Sequence, residues 1–194
     1  MNSTLDISIF YFFNHLPHPH VLNTVASILH KITSGGQLYY AIIILLVIFG
    51  NTILRQVALV WFISIAVASI ITNVLLKPLT HRLRPYDTLA HVYAIMPLPH
   101  TFSFPSGEAA GAWATAVCLV LIAPTIFSKN KTLFFSVILF LYAILISVER
   151  IYMGHHYPTD VLVGALVGAC TAYTIILNQK YIFKFLKFVK TFFM

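Results

Sequence analysis

Acidic residues are scarce in this chain: five among 194, namely Asp6, Asp87, Glu108, Glu149 and Asp160. Charged residues of both signs make up 9%, where a soluble domain carries about 25%. Apolar residues reach 59% and mean hydropathy is +0.88. So little charge excludes an ordinary soluble domain and leaves a membrane protein. Cysteine is also nearly missing. Cys118 and Cys170 both fall inside apolar runs, so they read as packed thiols, and neither a disulfide nor a thiolate metal site is suggested. There is no internal repeat of the kind many transporters carry. The basic n-region, apolar core and small-residue cleavage site of a signal peptide are absent too, so the N-terminal segment is expected to be retained.

What is present in quantity is long apolar runs. Five are long enough to cross about 30 Å of hydrocarbon: 37–54, 56–76, 107–127, 132–148 and 160–177. The earlier apolar pieces, 7–13 and 21–29, are divided by Asn14, His15, Pro17, His18, Pro19 and His20. Residues 4–32 are therefore expected to form helices at the membrane interface or against the bundle. The expected fold is an all-α polytopic transmembrane bundle, five spans plus N-terminal interfacial helices. It makes one domain over 1–194: an N-terminal segment 1–36, a core 37–178 and a basic tail 179–194. Lys180, Lys184, Lys187 and Lys190 place one basic face on a helical tail, suited to anionic lipid. The net charge of +7 is split between this tail and the span ends. Membrane lipid is thus the expected partner and nucleic acid is not; oligomeric state stays open.

Ionisable residues near spans are costly and point to sites. They gather in three clusters. KPLTHRLRP ends the second span with Lys77, Arg84 and Pro85; PSGE opens the third at 105–108; ERIYMGHHYPTD fills 149–160. Five spans put all three at one membrane surface. Arg55, Lys129, Lys131 and the tail lysines fall on the other, which the positive-inside rule makes the cytoplasm. A plasma membrane with the clusters facing outward, in bacterial terms the periplasm or exterior, is the expected location.

Lys77, Arg84 and Arg150 are cations able to converge on one multiply charged anion. Ser106 and Gly107 stand at a helix start, where free N–H groups and the helix dipole attract anions. His156 and Asp160 are four apart, so the carboxylate can hold one imidazole nitrogen as N–H and leave the other to attack. Singly, each has a plainer reading. Lys77 and Arg84 can be snorkelling residues, Ser106 a helix cap and Glu108 a first-turn acid. His155 and His156 can be interface residues or metal ligands, although no further ligand set is evident and no cofactor is expected. Three clusters in this order favour an anion site, phosphate above all, with a histidine nucleophile.

With these residues the chain resembles the type 2 phosphatidic acid phosphatase (PAP2) superfamily of integral membrane phosphatases, whose motifs are K-x6-R-P, P-S-G-H and S-R-x5-H-x3-D. Nine residues agree in type and spacing: Lys77, Arg84, Pro85, Pro105, Ser106, Gly107, Arg150, His156 and Asp160. The resemblance implies that Lys77, Arg84, Ser106, Gly107 and Arg150 hold a phosphoryl group. It implies further that His156 attacks phosphorus, oriented by Asp160, without a metal.

Two positions depart from that pattern: Glu108 replaces the motif histidine, and Glu149 the usual serine. The missing histidine is the family's expected proton donor. Glu108 can take the role where burial or a neighbouring carboxylate, such as Glu149, favours its protonated form. A pyrophosphate substrate would lessen the need for an acid, because its leaving phosphate is better than an alkoxide. Lost activity is the third possibility. The preferred substrate is a polyprenyl pyrophosphate such as undecaprenyl pyrophosphate. Phosphatidic acid, phosphatidylglycerol phosphate and lipid A phosphate remain open, as do a lipid-to-lipid phosphotransferase and a non-catalytic lipid-phosphate binder.

Overall fold

The structure, a computed structural model, describes residues 3–95 and 97–192, with side chains through residue 184. Regular structure among the described residues is helical throughout. Helix α1 (Thr4–Asn14) starts at Ser3, whose hydroxyl accepts from the Asp6 N–H. Helices α2 (His20–Thr33) and α3 (Gln37–Phe49) follow, joined by one tight turn. Together they form an apolar stretch, His20–Phe49, long enough to cross a membrane, so the first candidate span begins before the expected residue 37. The stretch is broken at Gly35 and Gly36, with φ of +61° and +77°, a conformation that side-chain-bearing residues avoid. Beyond the break, α2 packs through His30 against Arg150, and α1 reaches the loops at the same end of the bundle. Asn14 donates to the Tyr93 and Tyr152 carbonyls, and Tyr11 to that of Ala90.

Helix α4 (Thr52–Ser69) is capped by Asn51 and continues through a π-helical turn, Ile70–Leu76, into α5 (Lys77–Thr80). Pro78 has no N–H to offer Val74, which removes one α-helical hydrogen bond where the register changes. Thr72 and Asn73 bond within this helix, to the Ala68 carbonyl and to the Ser69 hydroxyl. A short α6 (Pro85–Thr88) precedes the long loop to α7 (Gly107–Ile122); α8 (Lys129–Tyr152) and α9 (Pro158–Phe192) complete the bundle. Helix α7 ends at a 3-10 turn around Pro124. Helix α9 runs past residue 178 without interruption, so the expected tail is its continuation; the Lys187 and Lys190 side chains of the proposed basic face lie outside the described residues.

α7 is the central helix, flanked by α4, α8 and α9. Ala109, Ala110, Ala112, Ala114, Ala116 and Cys118 along it are fully buried. Their small side chains let neighbouring helices come close, and single polar contacts tie the bundle: Trp61 donates to Thr115 and Trp113 to Ser147. Leu141, Leu162 and Leu166 point outward, as does Cys170, which is not the packed thiol expected. The Gly164/Gly168 pair serves α7: a Cβ on Gly164 would stand 2.3 Å from the Ser106 carbonyl oxygen, and one on Gly168 2.1 Å from that of Ala110. Backbone cannot yield as a flexible side chain can. Gly168→Val is therefore expected to destabilise the fold by about 1–3 kcal/mol or more, read as a lowered thermal midpoint in detergent. An unchanged midpoint would show that α7 and α9 can part at no cost.

Candidate active site

The turn between α8 and α9 builds the centre. The His155 and His156 N–H groups both donate to the Arg150 carbonyl, and Gly154 turns the chain at φ +77°, where a Cβ would stand 2.9 Å from the Tyr93 carbonyl oxygen. Pro158 then starts α9, which sets Asp160 one turn along, beside His156. Asp160 Oδ2 accepts from Ser103 Oγ at 2.5 Å and from the Tyr157 N–H at 2.9 Å, and lies 3.6 Å from His156 Nδ1; Oδ1 is bound by Arg82. The other imidazole nitrogen, Nε2, faces Arg84 Nη1 at 3.2 Å and Glu108 Oε2 at 3.6 Å. A guanidinium can only donate. Nε2 therefore presents its lone pair, and the ring proton belongs on Nδ1, toward Asp160.

Arg84 is anchored by the Thr101 carbonyl at 2.7 Å, the Thr101 hydroxyl at 3.0 Å and the His155 carbonyl at 2.9 Å, which aims its Nη1 at His156. Lys77 is 8% exposed and lines, with Arg84, Asn73, Tyr86, His100 and Phe102, a cleft of about 800 Å³. Ser106 caps α7 by accepting from the Ala109 N–H, and its own N–H donates to the Asp160 carbonyl, so the starts of α7 and α9 are bound together. Gly107 leaves room for Asn73: a Cβ there would stand 2.8 Å from Asn73 Oδ1. Glu108 and Gly107 border a second cavity, of about 100 Å³, that shares Asn73 with the larger cleft.

Arg150 is placed differently from the expected convergence of three cations. Its Nε and Nη2 engage Glu149, and its Nη1 donates to His30 Nδ1 at 2.6 Å. Glu149 therefore pairs with Arg150, while Glu108, the neighbour proposed for it from the sequence, acts on it only through its field. A guanidinium beside it in the chain is a closer and opposite charge. Among the described residues, the buried side-chain nitrogen and oxygen atoms without a hydrogen bond belong to Glu108, Glu149, Arg150, His155 and His156. Such atoms are rare in proteins and collect where chemistry is done. No group of three His, Cys, Asp or Glu side chains suited to a metal ion occurs among the described residues.

His155 differs from His156 in its role. Its Nε2 lies 2.9 Å from the Ile95 carbonyl and so carries the proton, while burial pushes the imidazole down from 6.5 to about 3. The unfolded chain takes this proton near the ordinary value, whereas the native fold takes it only near the depressed one. Between those limits the unfolded state binds more protons, so stability falls as pH drops. His155→Gln keeps a donor for Ile95 and should flatten the fall of thermal midpoint between about pH 6.5 and 4. An unchanged slope would assign that limb to other groups.

Several members of the site escaped sequence reasoning: His30, Thr101, Ser103, and the Asp6–Arg82 pair. Arg82 alone carried a signal, as a third basic residue inside the first cluster.

A model of the PAP2 superfamily matches residues 58–184. The chain is 32% identical over 152 residues to undecaprenyl-diphosphatase BcrC of Bacillus subtilis, covering 77% of this chain and 72% of that one. It is 32% identical over 125 residues to an undecaprenyl-diphosphatase of Sulfolobus acidocaldarius, covering 64% of this chain and 55% of the relative. Among solved structures, LpxE of Aquifex aeolicus superposes with a TM-score of 0.66 at 28% identity, over 90% of this chain and 96% of that one.

Proposed function

The chain belongs to the PAP2 superfamily, and from that premise we propose that it is a membrane lipid phosphatase working through a phosphohistidine on His156. The observation that carries the reading is the setting of His156, with Asp160 at Nδ1 and both Arg84 and Glu108 at Nε2. Nε2 attacks phosphorus as the bond to the leaving oxygen breaks, and that oxygen takes a proton from Glu108 or departs as an anion. The phosphorylated ring is then positive, offset by Asp160. Water attacks the phosphorus, gives its proton to Glu108, and inorganic phosphate leaves with the bonding pair returned to Nε2. Lys77 and Arg84 neutralise the phosphoryl oxygens across the cleft, with Ser106 and Gly107 at the start of α7 completing the anion site, while Arg150 stays with Glu149 and His30.

The preferred substrate is a polyprenyl pyrophosphate. Two relatives bear the name undecaprenyl-diphosphatase, and a leaving phosphate can depart without a proton, so it tolerates a carboxylate that is mostly ionised near neutral pH where an alkoxide would need a protonated donor. The site lies at the bundle end opposite Arg55, Lys129 and Lys131, so the positive-inside rule turns it outward and the C-terminus to the cytoplasm.

The test is phosphate release by the reconstituted protein, with polyprenyl pyrophosphate, phosphatidic acid and phosphatidylglycerol phosphate compared. The pyrophosphate should be hydrolysed fastest. Equal rates on the monophosphates would sink the leaving-group argument, and phosphate arriving on a second lipid would make the protein a transferase.

A further inference from the structure

From the chain of charges behind Asp160, we infer that Asp6, 154 positions earlier in sequence, is a positioning residue for the phosphoryl-transfer step; the inference rests on the phosphatase reading above. Arg82 stands between two carboxylates. Its Nη2 lies 2.5 Å from Asp6 Oδ2, and its Nη1 binds Asp160 Oδ1 and donates to Thr159 Oγ1 at 2.7 Å. The guanidinium carbon stands over the Tyr157 ring, 4.0 Å from its centroid. Asp6 is 4% exposed and Asp160 fully buried, while the Arg82 side chain is 18% exposed, so water screens the two carboxylates little and the cation in part.

The arrangement has a consequence for His156. The phosphohistidine ring carries a positive charge, which Asp160 must offset from the Nδ1 side. Arg82 alone, bound to the far oxygen of Asp160, would cancel most of that carboxylate's field. Asp6 on the other side of Arg82 returns the group of three to a net charge of −1. Orientation follows from the same contacts. Arg82 holds Oδ1, while Ser103 and the Tyr157 N–H hold Oδ2, leaving that oxygen facing Nδ1. Asp6 also accepts from the Thr159 N–H at 2.9 Å and the Thr159 hydroxyl at 2.7 Å, capping α9 from another helix. The cap is a purely structural service, and the experiment must separate it from the electrostatic one.

The separation comes from removing the cation. In the full-length reconstituted protein, Asp6→Asn should lower kcat roughly 10- to 100-fold with KM nearly unchanged. Adding Arg82→Gln to that variant should restore part of the loss, because Asp160 is then no longer neutralised. A residue that only capped α9 would show no such recovery, so a double variant as slow as Asp6→Asn, or slower, overturns the inference. If Asp6→Asn fails to fold, Arg82→Gln is compared with the double variant. With the cation gone, loss of Asp6 should then cost less than about threefold in kcat, and a further fall of about tenfold overturns the inference. Absence of phosphate release from the unaltered protein would defeat the phosphatase reading itself. An active protein with unaltered kcat in Asp6→Asn would defeat this inference alone.

Discussion

His156→Ala is expected to lower the rate of phosphate release on the order of 10⁴-fold or more while leaving lipid binding within about threefold. In the proposed mechanism every other group at the site holds charge or moves a proton, and His156 makes the covalent bond. Its lone pair is already presented, since Arg84 can only donate to Nε2 at 3.2 Å. Quenching the unaltered protein during turnover should trap a phosphoenzyme that is labile in acid and survives alkali, and the variant should trap none. Residual activity within about tenfold of normal would mean another nucleophile or direct attack by water. His155 is poorly placed to substitute, because its Nε2 is committed to the Ile95 carbonyl. A protein that only bound lipid phosphates would release no phosphate in either form.

The second large effect belongs to Glu108. Glu108→Gln keeps the shape and removes both proton transfers. With a lipid monophosphate the loss should reach roughly 10²–10⁴-fold, the usual worth of a general acid or base. With a pyrophosphate the loss in phosphoenzyme formation should be much smaller, because the departing phosphate needs little help. Rapid-quench measurement of the first turnover on both substrates separates the steps. Equal losses would refute the leaving-group explanation for the carboxylate at this position. Glu108→His provides the converse measurement. A large gain on monophosphates would show that the glutamate narrows the substrate range or replaces a better acid; equal activity would show a working glutamate. The side chain sits where either role is possible, with Oε2 buried, without a hydrogen bond and 3.6 Å from Nε2.

The candidate site was legible in the sequence where chemistry demands a fixed short spacing. His156 and Asp160 four apart across a helix start, Ser106 and Gly107 at a helix start, and Lys77 with Arg84 in one turn-rich segment all sit as local geometry requires. Long-range pairing was not legible. Glu149 was weighed as a neighbour of Glu108 because both are acids set beside the same loops, yet the guanidinium one residue on binds it. Asn73 carried no signal of its place either, and in the fold it bonds Ser69 and stands against Gly107. The first span was placed to begin at residue 37, because polar residues divide the earlier runs, but hydropathy cannot reveal that α2 joins α3 through two left-handed glycines.

Composition and apolar run length were enough to establish a helical membrane bundle, because hydrocarbon leaves the backbone few other ways to satisfy its hydrogen bonds. Motif spacing was enough to bring the candidate residues of the three clusters to one end of it, because helix starts and neighbouring cations are local features. The partners of each buried charge needed the folded chain. Asp6 and Arg82 are 76 positions apart and His30 and Arg150 are 120 apart, and no local rule brings either pair together. They meet because α1 and α2 fold back over the end of the bundle, where burial makes an unpaired charge too costly to leave.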